Sequence, residues 1–271
     1  MTHTVLITGT SSGFGLASAR LFLARGWNVI ATMRSPDPTL FESSPRLLVT
    51  ALDVTAPHTV AEAVTKGIAR FGQIDVLVNN AGVGLFGAAE ATPAELTRQV
   101  FETNTFGVMA VARAVIPHMR ERGSGTIVNV TSSVGIAPMP LVAVYTASKY
   151  AIEGYSEALA HELGAFGVRV KIVQPGFAPT TSFSAKSGGR REDLLPTAYG
   201  AFASRYLASM QNYPTAYTAE ADVAEATYAA ATSSDDKLRY PAGADSVMLA
   251  QLRESLSEPE FMGRMRTMTG G

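Results

Sequence analysis

Short apolar runs alternate with longer amphipathic segments from residue 4 to residue 176. The apolar runs are rich in β-branched residues and cover residues 4–9, 27–33, 46–54, 74–82, 125–133 and 168–176. The helical patterns between them cover residues 14–25, 57–71, 93–121 and 144–166. Because the runs are continuous rather than alternating, we expect strands that are covered on both faces. Their alternation with helices predicts right-handed parallel crossovers and an α/β fold, with a doubly wound parallel sheet and helices on both faces.

The pattern changes after residue 176. Residues 178–193 are polar and contain several glycines and serines, which is typical of a loop. Apolar residues then recur at three- and four-residue steps, which predicts an amphipathic helix. They are Leu195, Tyr199, Phe202, Tyr206 and Met210. We interpret residues 178–215 as a lid segment at the carboxyl edge of the sheet, where open α/β sheets bind ligands. An equally good interpretation is a helix that docks its apolar face on the core, and both can hold at once. We predict a further helix at 219–232 and a strand at 237–243 that completes the sheet.

Length and composition limit the choice of partners. The 271 residues suffice for one large α/β domain or two small ones, and no linker-like segment divides them. We therefore expect a single domain over residues 1–271. A hydrophobic fraction of 46% with 17% charged residues predicts an ample core. The net charge of −1 and the pI near 6.4 indicate no surface for nucleic acid or an anionic membrane, so neither is expected as a partner.

The absence of cysteine excludes disulfides, thiolate nucleophiles and cysteine metal sites. The four histidines (His3, His58, His118 and His161) lie far apart and are interpreted as surface or capping residues, so no metal site is expected. The N-terminus has no basic segment or cleavage site, and no apolar run reaches transmembrane length. A soluble, cytoplasmic protein is expected.

A glycine-rich turn follows the first predicted strand. The stretch "TGTSSGFG" contains Gly9, Gly13 and Gly15 and opens the first helix. Glycines allow the backbone to approach a phosphate closely, and the N-terminus of a helix supplies N–H donors and a positive dipole. A lone motif of this kind is weak, and a plain tight turn is the alternative. Its position between the first strand and the first helix favours dinucleotide binding.

The end of the second predicted strand indicates which dinucleotide is bound. An acid there would accept the ribose 2′-OH of NAD, whereas an arginine accommodates the 2′-phosphate of NADP. Here Met33 stands in the place of the acid, Arg34 follows, and the next carboxylate is Asp37. We expect NADP(H), with NAD(H) as the alternative. Asp53, at the end of the third strand, is either a cap of the next helix or a hydrogen-bond partner of the adenine.

Tyr145 and Lys149 lie one helical turn apart, so their side chains share one face of a helix. A free phenol has a pKa near 10 and holds its proton too tightly to act as a base near neutral pH. An ammonium one turn away and a positive nicotinamide ring favour the phenolate and lower that pKa. Ser132, at the end of the fifth strand, can reach the same substrate oxygen as a second donor. A tyrosine–lysine pair at this spacing arises easily by chance, so the motif needs its companions.

Those companions occur in a recognisable order: "TGTSSGFG" (8–15), "NNAG" (79–82), "NTFG" (104–107), "TSSVG" (131–135), "YTASK" (145–149) and "PG" (175–176). As a set they resemble the classical short-chain dehydrogenases/reductases over essentially the whole chain. The segments "ATMR" and "RYPAGAD" look closer to the NADP-preferring hydroxysteroid and retinol dehydrogenase branch than to reductases of carrier-bound acyl chains. The resemblance implies a single-domain Rossmann-type fold, a nicotinamide cofactor, and a homodimer or homotetramer.

The resemblance also implies roles for individual residues. Tyr145 is the expected acid/base, and Lys149 its charge partner and a ligand of the nicotinamide ribose. Ser132 is expected to orient the substrate carbonyl, and Asn104 to link a water-mediated proton path. The expected pyrophosphate and adenosine contacts are Gly9, Ser11, Ser12, Phe14, Gly15, Arg34, Asp53 and Val54. The expected ribose contacts are Asn80, Ala81 and Gly82, and the expected nicotinamide contacts are Pro175, Gly176 and Thr180.

Structural explanations exist for the same residues. Ser132 follows a strand and could be a cap, Asn104 could lie on a solvated helix face, and residues 79–82 could be a turn that braces the sheet. Two positions also depart from the family pattern. Ser12 stands where many NADP-preferring members have a basic residue, so Arg34 would carry most of the 2′-phosphate contact. Pro179 stiffens the turn before the lid and is expected to alter how Thr180 meets the cofactor.

The expected function is an NADP(H)-dependent carbonyl reductase or alcohol dehydrogenase. It would transfer a hydride between the nicotinamide and a medium-sized hydrophobic ketone or secondary alcohol, with Tyr145 as general acid/base. The apolar residues expected around the substrate are Leu85, Phe86, Met139, Pro140, Leu141 and Phe177. One alternative is a non-catalytic NADP-binding sensor or scaffold on the same fold. Such a protein would not need the complete catalytic tetrad of Asn104, Ser132, Tyr145 and Lys149. Another is a sugar-nucleotide epimerase or dehydratase, whose larger C-terminal substrate region is not expected here.

Overall fold

The computed structural model describes residues 2–179 and 193–270. Within them, seven parallel strands form one sheet in the order β3-β2-β1-β4-β5-β6-β7. The strands are β1 (Thr4–Thr8), β2 (Asn28–Met33), β3 (Leu47–Ala51), β4 (Val76–Asn79), β5 (Gly125–Val130), β6 (Val168–Pro175) and β7 (Arg239–Ala242). The strand order reverses between β1 and β4, and that reversal opens a crevice at the carboxyl edge of the sheet.

Helices cover both faces of this sheet. They are α1 (Gly13–Ala24), α2 (Pro57–Phe71), α3 (Ala94–Phe101), α4 (Gly107–Arg122), α5 (Ala143–Gly164), α6 (Gly200–Gln211), α7 (Glu220–Thr232), α8 (Ala244–Ser255) and α9 (Glu258–Met268). The central strand explains the continuous apolar runs. Leu6 packs into the core under α2, α4 and α5, whereas Val5 and Ile7 pack into the core under α1 and α7. Both faces of β1 are therefore apolar, as predicted.

The doubly wound parallel sheet is confirmed, and the predicted strands and helices agree with the structure to within a few residues at their ends. The predicted helix over residues 93–121 is different, because a π-helical turn (Glu102–Phe106) separates α3 from α4. Such turns often occur at functional sites. The pattern of apolar residues did not predict α8 and α9. Among the described helices, none is both long enough and apolar enough to cross a membrane.

The predicted amphipathic helix after residue 193 corresponds to α6 and the 3₁₀ turn before it (Thr197–Tyr199). Its apolar side chains pack against the loops that follow β4 and β5. Leu141, in the loop after β5, packs with the apolar side chains of α6. It has a left-handed backbone (φ 61°), which is unusual for leucine. The carbonyl of Leu141 accepts a hydrogen bond from the N–H of Gly87 at 2.7 Å and thereby joins the two loops.

Candidate active site

The glycine turn after β1 is packed backbone against backbone. Gly9 has a left-handed backbone (φ 74°), and a Cβ atom there would lie 2.9 Å from the Cα of Ala81. A Cβ atom on Gly15 would lie 2.3 Å from the carbonyl oxygen of Gly9. Side chains at these positions would fill the space at the N-terminus of α1. The turn therefore leaves backbone N–H groups open to an anion at the point where the helix dipole is positive.

Asn80 fixes this turn to the neighbouring strand. Its Nδ2 donates to the carbonyl oxygens of Thr8 at 2.9 Å and Gly9 at 3.2 Å. The hydroxyl oxygen of Thr8 in turn accepts from the N–H groups of Asn80 and Ala81, both at 3.0 Å. The "NNAG" segment thus braces the sheet, and the same bonds bring it beside the glycine turn. Gly9, Gly15, Asn80 and Ala81 are therefore brought together, as the sequence predicted.

The ends of β2 and β3 present one cation and one carboxylate. Met33 is buried, Arg34 is exposed, and Asp37 accepts hydrogen bonds from Thr39 as the cap of a short 3₁₀ turn. Asp53 accepts bonds from the N–H and the hydroxyl of Thr55, at 2.9 and 2.8 Å. Partial burial of the Asp53 carboxyl raises its pKa, but these bonds and the nearby Arg34 outweigh that effect and lower it. Asp53 is thus ionised near Arg34.

Other predicted adenosine contacts differ in their surroundings. Ser11 is exposed and Ser12 half-buried at the start of α1, whereas the side chain of Phe14 packs against the core under α1 and α7. Val54 is buried in the opposite core, where its Cγ2 would meet a Cβ atom on Gly107 at 2.6 Å. The side chain of Val54 therefore stabilises packing between the loop after β3 and α4.

Tyr145 lies in the first turn of α5 and is 8% exposed. Its phenol forms a hydrogen bond with the side chain of Ser132, which follows β5. The Oγ of Ser132 also accepts from the N–H of Val134 at 3.3 Å, so Ser132 caps a 3₁₀ turn as well. The capping interpretation of Ser132 is thus confirmed, and the same side chain also contacts the Tyr145 phenol.

Burial raises the pKa of Tyr145 to about 12, and the hydrogen bond from Ser132 acts in the opposite direction. The sequence predicts a pKa below 10 when Lys149 and a bound oxidised nicotinamide both lie near the phenol. In the protein without cofactor, the cost of placing a phenolate in a buried position exceeds the stabilisation by the hydrogen bond from Ser132. The phenol is therefore protonated at neutral pH.

Lys149 is 5% exposed, and its Nζ lies 5.8 Å from the centre of the Tyr145 ring. The ammonium donates to the carbonyl oxygen of Val130 at 3.1 Å, at the end of β5. Burial lowers the pKa of Lys149 to about 8, and the negative charge of Glu153 opposes that shift. A Cβ atom on Gly82 would lie 3.6 Å from the Nζ, so the backbone of Gly82 runs close to the ammonium.

Asn104 is fully buried in the π-helical turn, not on a solvated helix face. Its Nδ2 donates to the carbonyl of Val83 at 2.9 Å and to the hydroxyl of Ser148 at 3.1 Å. Its Oδ1 accepts from the N–H of Val83 at 2.8 Å. Since both amide protons are engaged, one acceptor position on the oxygen remains in addition to these bonds.

The turn after β6 depends on a buried acid. Asp245, at the start of α8, is 2% exposed and accepts from the N–H of Phe177 at 2.7 Å and the hydroxyl of Thr218 at 2.6 Å. A Cβ atom on Gly176 would lie 2.0 Å from the Asp245 carboxylate, so this position requires glycine. Asp245 is the last residue of the "RYPAGAD" segment, but no role was expected for it, because the helix that begins there was not predicted.

An apolar cluster covers Tyr145. It contains Leu85, Val134 and Leu194, with Met139 packed against it, while Phe86 and Leu141 lie in the adjoining cluster with α6. Phe177 was predicted in this pocket, but it is 43% exposed and its ring packs edge-on against Tyr217. Thr180 and most of the predicted loop lie outside the described residues.

Two further residues were missed by the sequence analysis. Glu153 lies two turns after Tyr145 on α5 and is 5% exposed. Thr8, described above, joins the glycine turn to the residues after β4. The four-residue helical spacing from Lys149 to Glu153 could have identified Glu153 from the sequence.

Known proteins similar to this chain identify its family. The family model described as short chain dehydrogenase matches residues 3–190. The chain is 37% identical over 248 residues to an uncharacterized oxidoreductase, YusZ, of Bacillus subtilis, which is 88% of each protein. It is 43% identical over 172 residues to 3-ketodihydrosphingosine reductase of Bacteroides thetaiotaomicron, covering 64% of this chain and 62% of that protein. It is 40% identical over 195 residues to bovine retinol dehydrogenase 8, covering 68% and 61%.

Solved structures show the same fold. A short-chain dehydrogenase from Streptomyces avermitilis has a TM-score of 0.74 at 32% identity, over 97% of this chain and 98% of that one. ElxO with NADP bound has a TM-score of 0.75 at 29% identity, over 89% and 98%. A short chain dehydrogenase/reductase from Burkholderia phymatum in complex with NAD has a TM-score of 0.77 at 26% identity, over 93% of each chain. The chain therefore belongs to the short-chain dehydrogenase/reductase family, whose oxidoreductases use a nicotinamide cofactor to interconvert CH–OH and C=O groups.

Proposed function

We propose that this protein is an NADP(H)-dependent oxidoreductase that acts on medium-sized hydrophobic ketones or secondary alcohols, with Tyr145 as general acid/base. The observation that supports this most strongly is one arrangement of side chains. The protonated phenol of Tyr145 meets the hydroxyl of Ser132, and the Lys149 ammonium lies on the next turn of the same helix. The glycine turn lies at the same edge of the sheet.

The backbone of the glycine turn, which carries no side chains at Gly9 and Gly15, suits a dinucleotide. We assign the pyrophosphate to the turn at Gly9–Gly15 and the N-terminus of α1, because glycines there leave room for an anion. The nicotinamide ribose would meet Lys149 and the backbone of Asn80–Gly82, and Pro175 and Gly176 would border the nicotinamide ring. When bound, the nicotinamide supplies a hydride to a carbonyl carbon or accepts one from an alcohol.

Tyr145 would donate the proton in reduction and accept it in oxidation. In reduction, its hydroxyl donates a hydrogen bond to the substrate oxygen and transfers its proton as negative charge develops there. A raised pKa keeps the phenol in the protonated form that a general acid needs. The hydroxyl of Ser132 then stabilises the phenolate, and the positive charge of Lys149 acts in the same direction. Oxidation of an alcohol requires the phenolate first, so we expect it to accelerate with rising pH while Lys149 is still protonated.

The preference for NADP(H) rests on Arg34. It is exposed directly after β2, Met33 beside it is buried, and Asp37 is engaged in capping. A 2′-phosphate at this position would gain a charge-assisted contact, whereas the 2′-OH of NAD would find no carboxylate at the end of β2. The Asp53 carboxylate beside Arg34 would meet the adenine, as the resemblance implies.

The apolar cover over Tyr145 supports a hydrophobic substrate. Leu85, Val134, Met139 and Leu194 surround the phenol with aliphatic surface, which favours apolar groups on both sides of a carbonyl. Two relatives have names that refer to apolar substrates, retinol and 3-ketodihydrosphingosine.

The test is a panel of hydrophobic ketones and secondary alcohols, followed by NADPH absorbance in both directions. We expect turnover by the natural protein, and a fall of about 10²–10⁴-fold in kcat for Tyr145→Phe with NADPH affinity nearly unchanged. Tyr150→Phe, on the exposed side of the same helix, is the matched control. Retained turnover by Tyr145→Phe would contradict the acid/base role. NADPH binding without turnover of any panel member would favour the sensor or scaffold hypothesis instead.

A further inference from the structure

Glu153 is a buried carboxylate that the expected catalytic tetrad does not include. It lies on α5 in register with Tyr145 and Lys149, at successive four-residue steps along one helix face. Its side chain is 7% exposed in the ion pair with Arg239. A buried charge is costly unless it is paired and hydrogen-bonded, so the surroundings of Glu153 should explain its presence.

Three adjacent strands supply the partners of this carboxylate. The hydroxyl of Thr131 donates to Oε1 at 2.6 Å, and Nε2 of Gln174 donates to the same oxygen at 3.1 Å. Nε of Arg239 donates to Oε2 at 3.0 Å. Thr131 directly follows β5, Gln174 is the last residue but one of β6, and Arg239 is the first residue of β7. The three strands are neighbours in the sheet. The carboxylate therefore ties the carboxyl ends of β5 and β6 and the beginning of β7 to α5.

Two of these partners immediately precede residues of the candidate site. Thr131 is followed by Ser132, which hydrogen-bonds to Tyr145, and Gln174 is followed by the turn at Pro175 and Gly176. A shift of the Glu153 side chain would therefore be transmitted through one peptide unit to both places. The space is also closely filled, since a Cβ atom on Gly135 would lie 2.9 Å from Oε1.

The charges around Glu153 have a definite arrangement. On α5 it faces the Lys149 ammonium one turn earlier and Glu157 one turn later, with Tyr150 beside it. From β7 it faces the Arg239 guanidinium, which also pairs with Glu157. The groups that reach it from β5 and β6 are neutral. Negative charge on Glu153 raises the pKa of Lys149 against the larger effect of burial.

We propose that Glu153 is a positioning residue for the reaction. It holds Ser132 and the 175–176 turn through Thr131 and Gln174, and its charge keeps the Lys149 ammonium protonated beside Tyr145. This inference rests on the proposed function, since it assigns Glu153 to the same reaction. It adds a polar group that touches neither substrate nor cofactor and acts through Lys149 and the strand ends.

The test measures the titration of Lys149 directly, by NMR of protein labelled with ¹³C-lysine, with the signal assigned by Lys149→Arg. Glu153→Gln keeps the shape of the side chain and removes its charge, so we expect the pKa of Lys149 to fall by about one unit. The alkaline limb of the kcat–pH profile should move to lower pH by a similar amount. Arg239→Gln removes a positive charge nearby and should shift the pKa of Lys149 upward.

Glu157→Gln is the matched control, because Glu157 also pairs with Arg239 but is exposed, and solvent weakens its effect on Lys149. Thr131→Val retains every charge and should lower kcat without moving the alkaline limb. An unchanged titration of Lys149 in both Glu153→Gln and Arg239→Gln would overturn the inference. If the natural protein turns over no substrate while the titration shifts as expected, the proposed function fails and the electrostatic coupling stands.

Discussion

The glycine turn after β1 and the polar cluster between β5 and α5 lie at the same edge of the sheet but are constructed differently. The turn depends on the absence of side chains, because Gly9 and Gly15 bring backbone within contact distance of Ala81 and Asn80. The polar cluster depends on buried side chains with hydrogen bonds, such as those of Ser132 and Lys149. The first region is therefore sensitive to any added atom, and the second to the loss of particular polar groups.

The largest effect in this comparison is expected from Gly15→Ala. Its Cβ atom would lie 2.3 Å from the carbonyl of Gly9 and 2.4 Å from Nδ2 of Asn80, so the backbone of the turn must move. We expect NADPH affinity to fall by at least about 100-fold, since contacts of bound phosphate with backbone N–H groups depend on that geometry. Fluorescence titration with NADPH measures this effect.

Gly154→Ala is the matched control, because Gly154 lies exposed within α5, and a Cβ atom there would have no atom within 4 Å outside its own turn of the helix. Alanine in a helix interior is favoured over glycine by about 0.5–1 kcal/mol. We therefore expect a slightly higher unfolding temperature and unchanged NADPH affinity. Equal losses of affinity in the two variants would show that the glycine turn has no special role.

A smaller effect is expected from the paired change Met33→Asp with Arg34→Leu. It places a carboxylate at the end of β2 and removes the exposed cation, so the preference should move from NADPH towards NADH by about 10–100-fold in kcat/KM, as expected for a charge-assisted contact. The ratio of the two kcat/KM values is the measurement. An unchanged ratio would mean that another group reads the 2′-phosphate.

The smallest effect is expected from Leu194→Ala, which removes apolar cover from Tyr145. Bulky ketones should gain relative to small ones by about tenfold in kcat/KM, the usual scale for a change of pocket volume. Leu207→Ala, on the exposed side of α6, is the control and should leave this ratio unchanged. Equal ratios in both variants would place the substrate elsewhere.

Sequence patterns predicted the parts of the molecule that follow from local rules. Continuous apolar runs predicted the strands because a sheet covered on both faces needs them, and the glycine turn followed from its place between β1 and α1. The buried polar residues at this edge of the sheet were predicted only in part. Glu153 and Asp245 act through partners more than 20 residues away in sequence, for example Thr131 and Phe177, and such pairings depend on the packing of distant elements.

The phenol of Tyr145 illustrates the same limit of local reasoning. The four-residue step to Lys149, together with a bound oxidised nicotinamide, predicted a lowered pKa. In the protein without cofactor, burial among Leu85, Val134 and Leu194 raises it to about 12. Spacing along a helix shows which charges are near, but the cost of desolvation depends on residues from other loops. The sign of the shift therefore required the folded structure.

The π-helical turn allows a side chain to do the work of a main chain. The amide of Asn104 presents one N–H and one C=O to the backbone of Val83, which is the pairing that a neighbouring strand would offer. β4 itself ends at Asn79, so the loop after it has no strand alongside to hold it. The Asn104 side chain thus holds the backbone next to Gly82 with the two hydrogen bonds that a neighbouring strand would make, although the sheet does not extend that far.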